Sequence, residues 1–281
     1  MLRVLLVAGV AFCLVACVGC PRSPQAGTPN ATPAVQPAPA RAEPAAALTV
    51  FAAASLTEAF DAFSDAFTQS HPSIAVSTNY AGTQELRTQV EQGARPDVFA
   101  SASVDDMASL VKAGLVKDPV VLAKSRLCVV AAKEPGKVRT LQDLAKPGLR
   151  LVVATETCPV GKYTRQCWEK MTGSKEFGPE FVAALKRNVQ SEETNVKLVL
   201  AKVQLGEADA GFAYRSDVGG AKVIALELPQ DVVVEATYEV GLGAETKNED
   251  AARALVTALL GPEGQLALTT AGLEPPPPPK R

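Results

Sequence analysis

Histidine is almost missing from this chain. Its one copy, His71, sits before Pro72 in the turn-like run Gln69-Ser70-His71-Pro72-Ser73. A single His with no Cys/His cluster argues against a zinc site. It also leaves no base to activate a serine nucleophile. Gly-x-Ser-x-Gly, a glycine-rich nucleotide loop and a paired-carboxylate constellation are all lacking, so an enzyme has no visible machinery. Charge is balanced, with a formal net of −2 and scattered Lys and Arg. Without a basic patch interleaved with aromatics there is no electrostatic footprint for nucleic acid. The apolar run at residues 4–15 is too short to count as a membrane span. What the chain does have is apolar bulk: 47% of its 281 residues, enough for a large core in one or two domains.

The termini are set apart by composition. Met1-Leu2-Arg3 gives a positive start, the apolar run follows, and Leu14-Val15-Ala16-Cys17 closes it. This pattern resembles the lipobox of bacterial lipoproteins, with Cys20 as the weaker alternative. It implies a signal peptide over residues 1–16 and a lipidated Cys17 that anchors the chain to a membrane. Residues 17–47 are rich in Pro and Ala and poor in large apolar side chains, so they read as a tether. Residues 274–281 carry five consecutive prolines and read as a disordered or polyproline tail.

Between these ends, buried strands alternate with helices, which predicts a parallel-rich α/β fold. Residues 48–51 form the first strand and residues 56–68 the first helix, with Leu56, Phe60, Phe63 and Phe67 on one face. Ser55 with Glu58 reads as a capping box at a helix start that points into a crevice. The same unit repeats. A strand at 74–78 leads through Gly82 to Thr83, a second capping hydroxyl, and a helix over 84–92. A strand at 149–154 leads to a helix starting near Pro159 or Val160. Thr194 or Asn195 caps a further helix from Val196. Residues 115–123 read as irregular because of Asp118-Pro119, Val189 leads into a loop, and residues 232–234 read as a strand. Tyr214 ends the strand at 211–214, where local packing would explain it as readily as a binding role.

The runs VFAAASLTEAF at 50–60, RPDVFASAS at 95–103, CPVGKYT at 158–164 and ADAGFAYRSDV at 208–218 then carry a resemblance. Together with Thr83 they are similar to the molybdate-binding proteins of bacterial molybdate ABC transporters, across residues 48–273. The resemblance implies a two-lobed type II periplasmic-binding-protein fold with the ligand in the cleft. It implies lobe one at 48–124 plus 238–273 and lobe two at 125–237. It also implies oxyanion donors at Ser55, Thr83, the backbone amides of Val160 and Val196, and the Tyr214 hydroxyl. Many relatives carry Ser where Thr83 stands. The ligand would be molybdate or tungstate, with no cofactor and no side chain bound directly to the metal. The partners would be a membrane permease and the membrane itself, for a monomer on the extracytoplasmic face. Another oxyanion such as sulfate or phosphate, or an oxyanion sensor, is the alternative.

Those residue types suit a tetrahedral dianion. All its oxygens accept, and hydroxyls, a phenol and helix-start amides all donate. A site made of donors disfavours a protonated anion, which needs an acceptor. Arg87, Arg95, Lys162, Arg165 and Arg215 read as solvated surface, and Glu156 is expected to point outward. Cys128 reads as an inert core thiol. Cys158 and Cys167 bracket the Val160 helix start; in an exported protein they are candidates for a disulfide, although the spacing is awkward for one straight helix.

Overall fold

The structure is a computed structural model that describes residues 45–134, 136–218 and 222–276. Cys17, the signal peptide and all but the end of the tether lie outside the described residues, as does most of the proline tail. Among the described residues, no helix is long and apolar enough to cross a membrane.

The strands are β1 (Ala46–Ala53), β2 (Ile74–Ala81), β3 (Val98–Ser101), β4 (Val116–Ala132), β5 (Leu151–Ala154), β6 (Val189–Glu193), β7 (Ala210–Tyr214), β8 (Val223–Glu227) and β9 (Glu235–Gly243). They run in the order β2-β1-β3-β9-β4-β7-β5-β6, with β8 also paired to β4. The helices are α1 (Thr57–Ser70), α2 (Thr83–Glu91), α3 (Val104–Lys112), α4 (Pro159–Gly173), α5 (Gly178–Arg187), α6 (Val196–Gln204), α7 (Glu249–Leu260) and α8 (Pro262–Thr270).

The wings are parallel, β1 with β2 and β3, and β5 with β6 and β7. The centre is antiparallel, because β4 runs out of one lobe and β9 returns to it. β4 pairs with β9 as far as Arg126 opposite Glu235, then from Leu127 it takes β7 and from Cys128 β8 as partners. The two strands that join the lobes are therefore hydrogen-bonded to each other at the crossing, where Ala123 faces Tyr238 and Lys124 faces Thr237.

Helices cover both faces of each half-sheet, which is why the short strands read as continuous apolar runs. In lobe one, Val50 and Ala52 pack with Phe60, Phe63 and Leu255 on one face. The alternate residue Phe51 packs with Leu86, Phe99 and Met107 on the other. Each such buried Val, Leu, Met or Phe side chain contributes roughly 1.5–3 kcal/mol. In lobe two, Trp168 of α4 meets Phe212 of β7 edge-on, with centroids 5.9 Å apart.

Five local expectations are corrected. Residues 115–123 are not irregular but the first half of β4, whose register shifts absorb Asp118-Pro119, with Asp118 at φ 51°. Val189 opens an edge strand, not a loop. The strand expected at 232–234 begins instead at Glu235. At the ends, Ala46 and Ala47 belong to β1, not to a tether, and Glu274 is bridged to Lys124 of β4 by two 2.8 Å backbone bonds, not loose.

Candidate functional site

Four helix starts converge on one cavity between the lobes. Its lining includes Ser55, Thr83, Val160, Val196 and Tyr214. All five sequence-predicted positions are thus brought to a single place, and all are buried.

Ser55 lies inside a short 3-10 turn, Ala54–Leu56, and α1 begins after it at Thr57. Its expected capping role is not found: neither the turn nor α1 has a side-chain cap, and Glu58 reaches Lys197 instead. Thr83 is likewise the first residue of α2 and not its cap. Gly82 takes that position, with its amide donating to Glu85 Oε2 at 2.9 Å. Both hydroxyls are therefore free of helix capping. Thr83 Oγ1 accepts from the Ala102 amide at 3.1 Å, which occupies a lone pair and leaves its hydrogen to donate. In lobe two, Pro159 has no N–H, so Val160 supplies the first amide of α4. Gly161 follows because a Cβ there would collide with the Thr155 carbonyl, against which the helix start packs. Asn195 caps α6, its Oδ1 accepting from the Leu198 amide at 3.1 Å, and Val196 comes next. First-turn amides have no intrahelical acceptor, and the helix dipole adds partial positive charge to them.

Tyr214 closes the site. Its ring is 1% exposed and its hydroxyl has no hydrogen-bond partner among the described residues. Burial pushes that phenol well above its ordinary pKa, so it stays a donor. Of the lining residues only Cys158 and Tyr214 are ionisable, and both are neutral when protonated. Burial pushes the Cys158 thiol up to about 11, against the pull of the Gly161 and Val160 amides.

The cations weighed from sequence are all engaged elsewhere. Arg87 pairs with Asp106, Arg95 with Glu245, Lys162 with Asp105, Arg165 with Glu192 and Arg215 with Glu227. Glu156 is exposed and outside the lining. No group of three or more His, Cys, Asp or Glu side chains among the described residues could hold a metal ion.

The disulfide expectation is overturned. Cys158, Cys167 and Cys128 are free and buried. Cys158 caps α4 and Cys167 lies inside it, about 13 Å further along the axis at 1.5 Å per residue. A disulfide needs Cα atoms within about 7 Å.

Sequence reasoning missed the contacts that hold the lobes together over the cavity. Gln84 Nε2 donates to Thr194 O at 2.7 Å, Tyr163 Oη to Ala102 O at 3.3 Å, and Lys197 Nζ binds both oxygens of Glu58 at 2.6 and 2.8 Å. Lys197 also lies 3.2 Å from Asp217, which is buried. Burial raises Asp217 to about 6 despite the lysine. The adjacency of Lys197 to Val196 in a first helical turn was the available signal.

A two-lobed fold that shuts on a small cavity of neutral donors defines a binding protein for an anionic solute. The profile of the bacterial extracellular solute-binding protein family matches residues 48–274, and the chain belongs to that family. It is 36% identical over 236 residues to the molybdate-binding protein ModA of Mycobacterium tuberculosis H37Rv, covering 83% of this chain and 86% of that one. Among solved structures it is similar to the substrate-binding domain of a putative molybdenum ABC transporter from Clostridium difficile. That likeness has 28% identity and a TM-score of 0.63, over 82% of this chain and 99% of that one. The sulfate-binding protein SubI of Mycobacterium tuberculosis shares the fold, with a TM-score of 0.73 at 21% identity, over 83% and 88% of the two chains. Family membership makes this a protein that binds a solute without transforming it.

Proposed function

We propose that the protein captures molybdate outside the cytoplasmic membrane and delivers it, as a monomer, to the permease of an ABC transporter. The observation that carries this reading is the cavity itself, walled by hydroxyls and helix-start amides with no Lys, Arg, Asp or Glu in its lining. Ser55 and Thr83 supply hydroxyl donors from lobe one. The Val160 and Val196 amides and the Tyr214 hydroxyl supply donors from lobe two. Such a set accepts a fully ionised tetrahedral dianion and penalises protonated phosphate, whose O–H would find no acceptor. The relative from Mycobacterium tuberculosis, named for molybdate, supports that anion over sulfate. Tungstate presents the same four acceptors and binds the same donors.

The lobes meet at residues 124/125 and 237/238, two residues before β4 exchanges β9 for β7 between Arg126 and Leu127. Cys17 carries the lipid that holds the chain at the membrane. Cys17→Ser releases the protein into the soluble fraction; a variant still membrane-bound after a salt wash removes the anchor from this account.

Calorimetry of the full chain with molybdate, tungstate, sulfate and phosphate tests the ligand. Submicromolar binding of the first two alone is expected. Tighter binding of sulfate overturns the molybdate reading and leaves the oxyanion site standing.

A further inference from the structure

Beside the anion cavity, one side chain reaches from the wall that carries Thr83 to the wall that carries Val196. Gln84 follows Thr83 in the first turn of α2. Its Nε2 donates to Thr194 O at 2.7 Å. Thr194 lies between the end of β6 and Asn195, the cap of α6, with Val196 next. The bond therefore joins the turn that holds a hydroxyl donor to the turn that holds an amide donor. The other contacts over the cavity join different elements: α4 reaches Ala102 and Asp105 through Tyr163 and Lys162, and Lys197 reaches Glu58 on α1.

The Gln84 carboxamide also fills the space between these walls. It lies over Gly82, which lines the cavity: a Cβ built there would stand 2.6 Å from Gln84 Nε2, from Gln84 Oε1 and from Thr194 O. Gly82 has an ordinary φ of −59°, so the position needs a glycine for room and not for backbone conformation. Gln84 Oε1 is buried and has no hydrogen-bond partner among the described residues. A buried acceptor left unpaired is costly. Turning the amide over would not relieve it, because Oε1 would then face the Thr194 carbonyl, acceptor against acceptor. The side chain is thus fixed in one orientation, with one bond made and one unmade. Such a group is poorly explained by stability alone.

We infer that Gln84 is a positioning residue that sets the span of the anion cavity, as a tie through Nε2 and as a stop through its bulk. This rests on the oxyanion reading above. The tie draws the Thr83 and Val196 turns together. The stop keeps them from coming closer than the carboxamide on Gly82 permits, since atoms already in contact yield little. Together they fix the distance between donors on opposite walls, although Gln84 itself is outside the cavity lining. Molybdate and sulfate are both tetrahedral dianions, and sulfate is the smaller. Donors held at a fixed span reach the oxygens of the larger anion and stretch toward those of the smaller, and stretched hydrogen bonds are weak. Gln84 thereby adds discrimination by size to a donor set that discriminates by protonation.

Two substitutions separate the tie from the stop. Wild type and both variants, each as the full chain, are titrated by calorimetry with molybdate directly and with sulfate in competition. Gln84→Met keeps length and bulk but cannot donate. It is expected to weaken molybdate and sulfate alike, about 3- to 10-fold, as one hydrogen bond is lost. Gln84→Ala removes the stop as well. The ratio of molybdate to sulfate affinity is then expected to fall about 10-fold, because the walls settle on the smaller anion. A merely structural side chain would change both affinities together and leave the ratio alone. An alanine variant that keeps the wild-type ratio, or that binds no sulfate, therefore overturns the inference. So does a Gln84→Met protein that binds as wild type does, and so does a wild type that prefers sulfate. Wild-type protein that binds neither anion refutes the oxyanion reading, and this inference with it.

Discussion

Replacing Tyr214 with Phe separates a binding tyrosine from a packing one, because the two roles predict opposite signs. The Tyr214 hydroxyl is buried and has no partner among the described residues. Within the protein alone it contributes desolvation cost and no bond, a penalty of order 1–3 kcal/mol for a buried polar group. Removing it should leave the ligand-free fold as stable as before, or more stable by about 1 kcal/mol, which for a fold of this size raises Tm by roughly 2–4 °C. The aromatic contacts with Tyr163 and Tyr238 stay in place, since Phe keeps the ring. With the anion bound the sign reverses. A hydrogen bond to a charged partner contributes about 1.5–3 kcal/mol, so Kd should rise about 10- to 150-fold. Differential scanning calorimetry without ligand, alongside titration with molybdate, reads both quantities on one preparation. A variant whose Tm falls by several degrees while Kd stays put would refute the reasoning and make Tyr214 a core residue.

Other outcomes follow from the same geometry. Gly82 has an ordinary φ of −59°, yet a Cβ on it would stand 2.6 Å from Thr194 O across the cleft. Gly82→Ala should therefore obstruct closure, weakening binding by about 1–3 kcal/mol while ligand-free stability barely changes; equal affinity in the two proteins would show that the lobes close by another path. Cys158 lines the cavity whereas Cys128 and Cys167 lie wholly in the core, so molybdate should protect Cys158 alone from alkylation at mildly alkaline pH, read by peptide mass spectrometry. Undiminished labelling in saturating anion would remove Cys158 from the cavity wall. Asp217 has its folded pKa raised to about 6 from 3.8, so the stability it confers is complete below about pH 4 and is lost as pH rises through 6. Wild type should lose up to about 3 kcal/mol across that window, and Asp217→Asn should flatten the profile; parallel denaturation curves for the two would contradict the assignment.

How far these features were legible in the sequence varied with their physics. Helix α1 announced itself by apolar spacing, α4 and α6 by the residues that start them, and the strands buried on both faces by unbroken apolar runs. The stretch Glu235–Gly243 also carried a signal, since Ala236, Tyr238, Val240 and Leu242 are buried. Its charged alternate positions, Glu235 and Glu239, made it resemble surface. β4 was obscured for another reason. Asp118-Pro119 is a strong local breaker, and only a partner strand such as β9, far away in sequence, can absorb it as a bulge. That Ser55, Thr83, Val160, Val196 and Tyr214 line one cavity agrees with their sequence reading, whereas the capping role read for the two hydroxyls does not hold. Ser55 and Thr83 stand where caps belong, and spacing alone does not say that Leu56 and Gly82 would take those places. That both hydroxyls stay out of capping is a tertiary outcome, set for Thr83 by the Ala102 amide behind it.

The uncharged wall of the cavity bears on how cargo is let go. A lysine at its floor would hold on to an anion whatever the two jaws were doing. In the proposed donor set, attraction is assembled from small dipoles that belong to different bodies, with Ser55 and Thr83 on one side and Val160, Val196 and Tyr214 on the other. Once a transporter prises the jaws apart, no half keeps enough pull to detain its passenger. Unloading then needs motion alone, with no proton, no competitor and no change in the carrier's own charge.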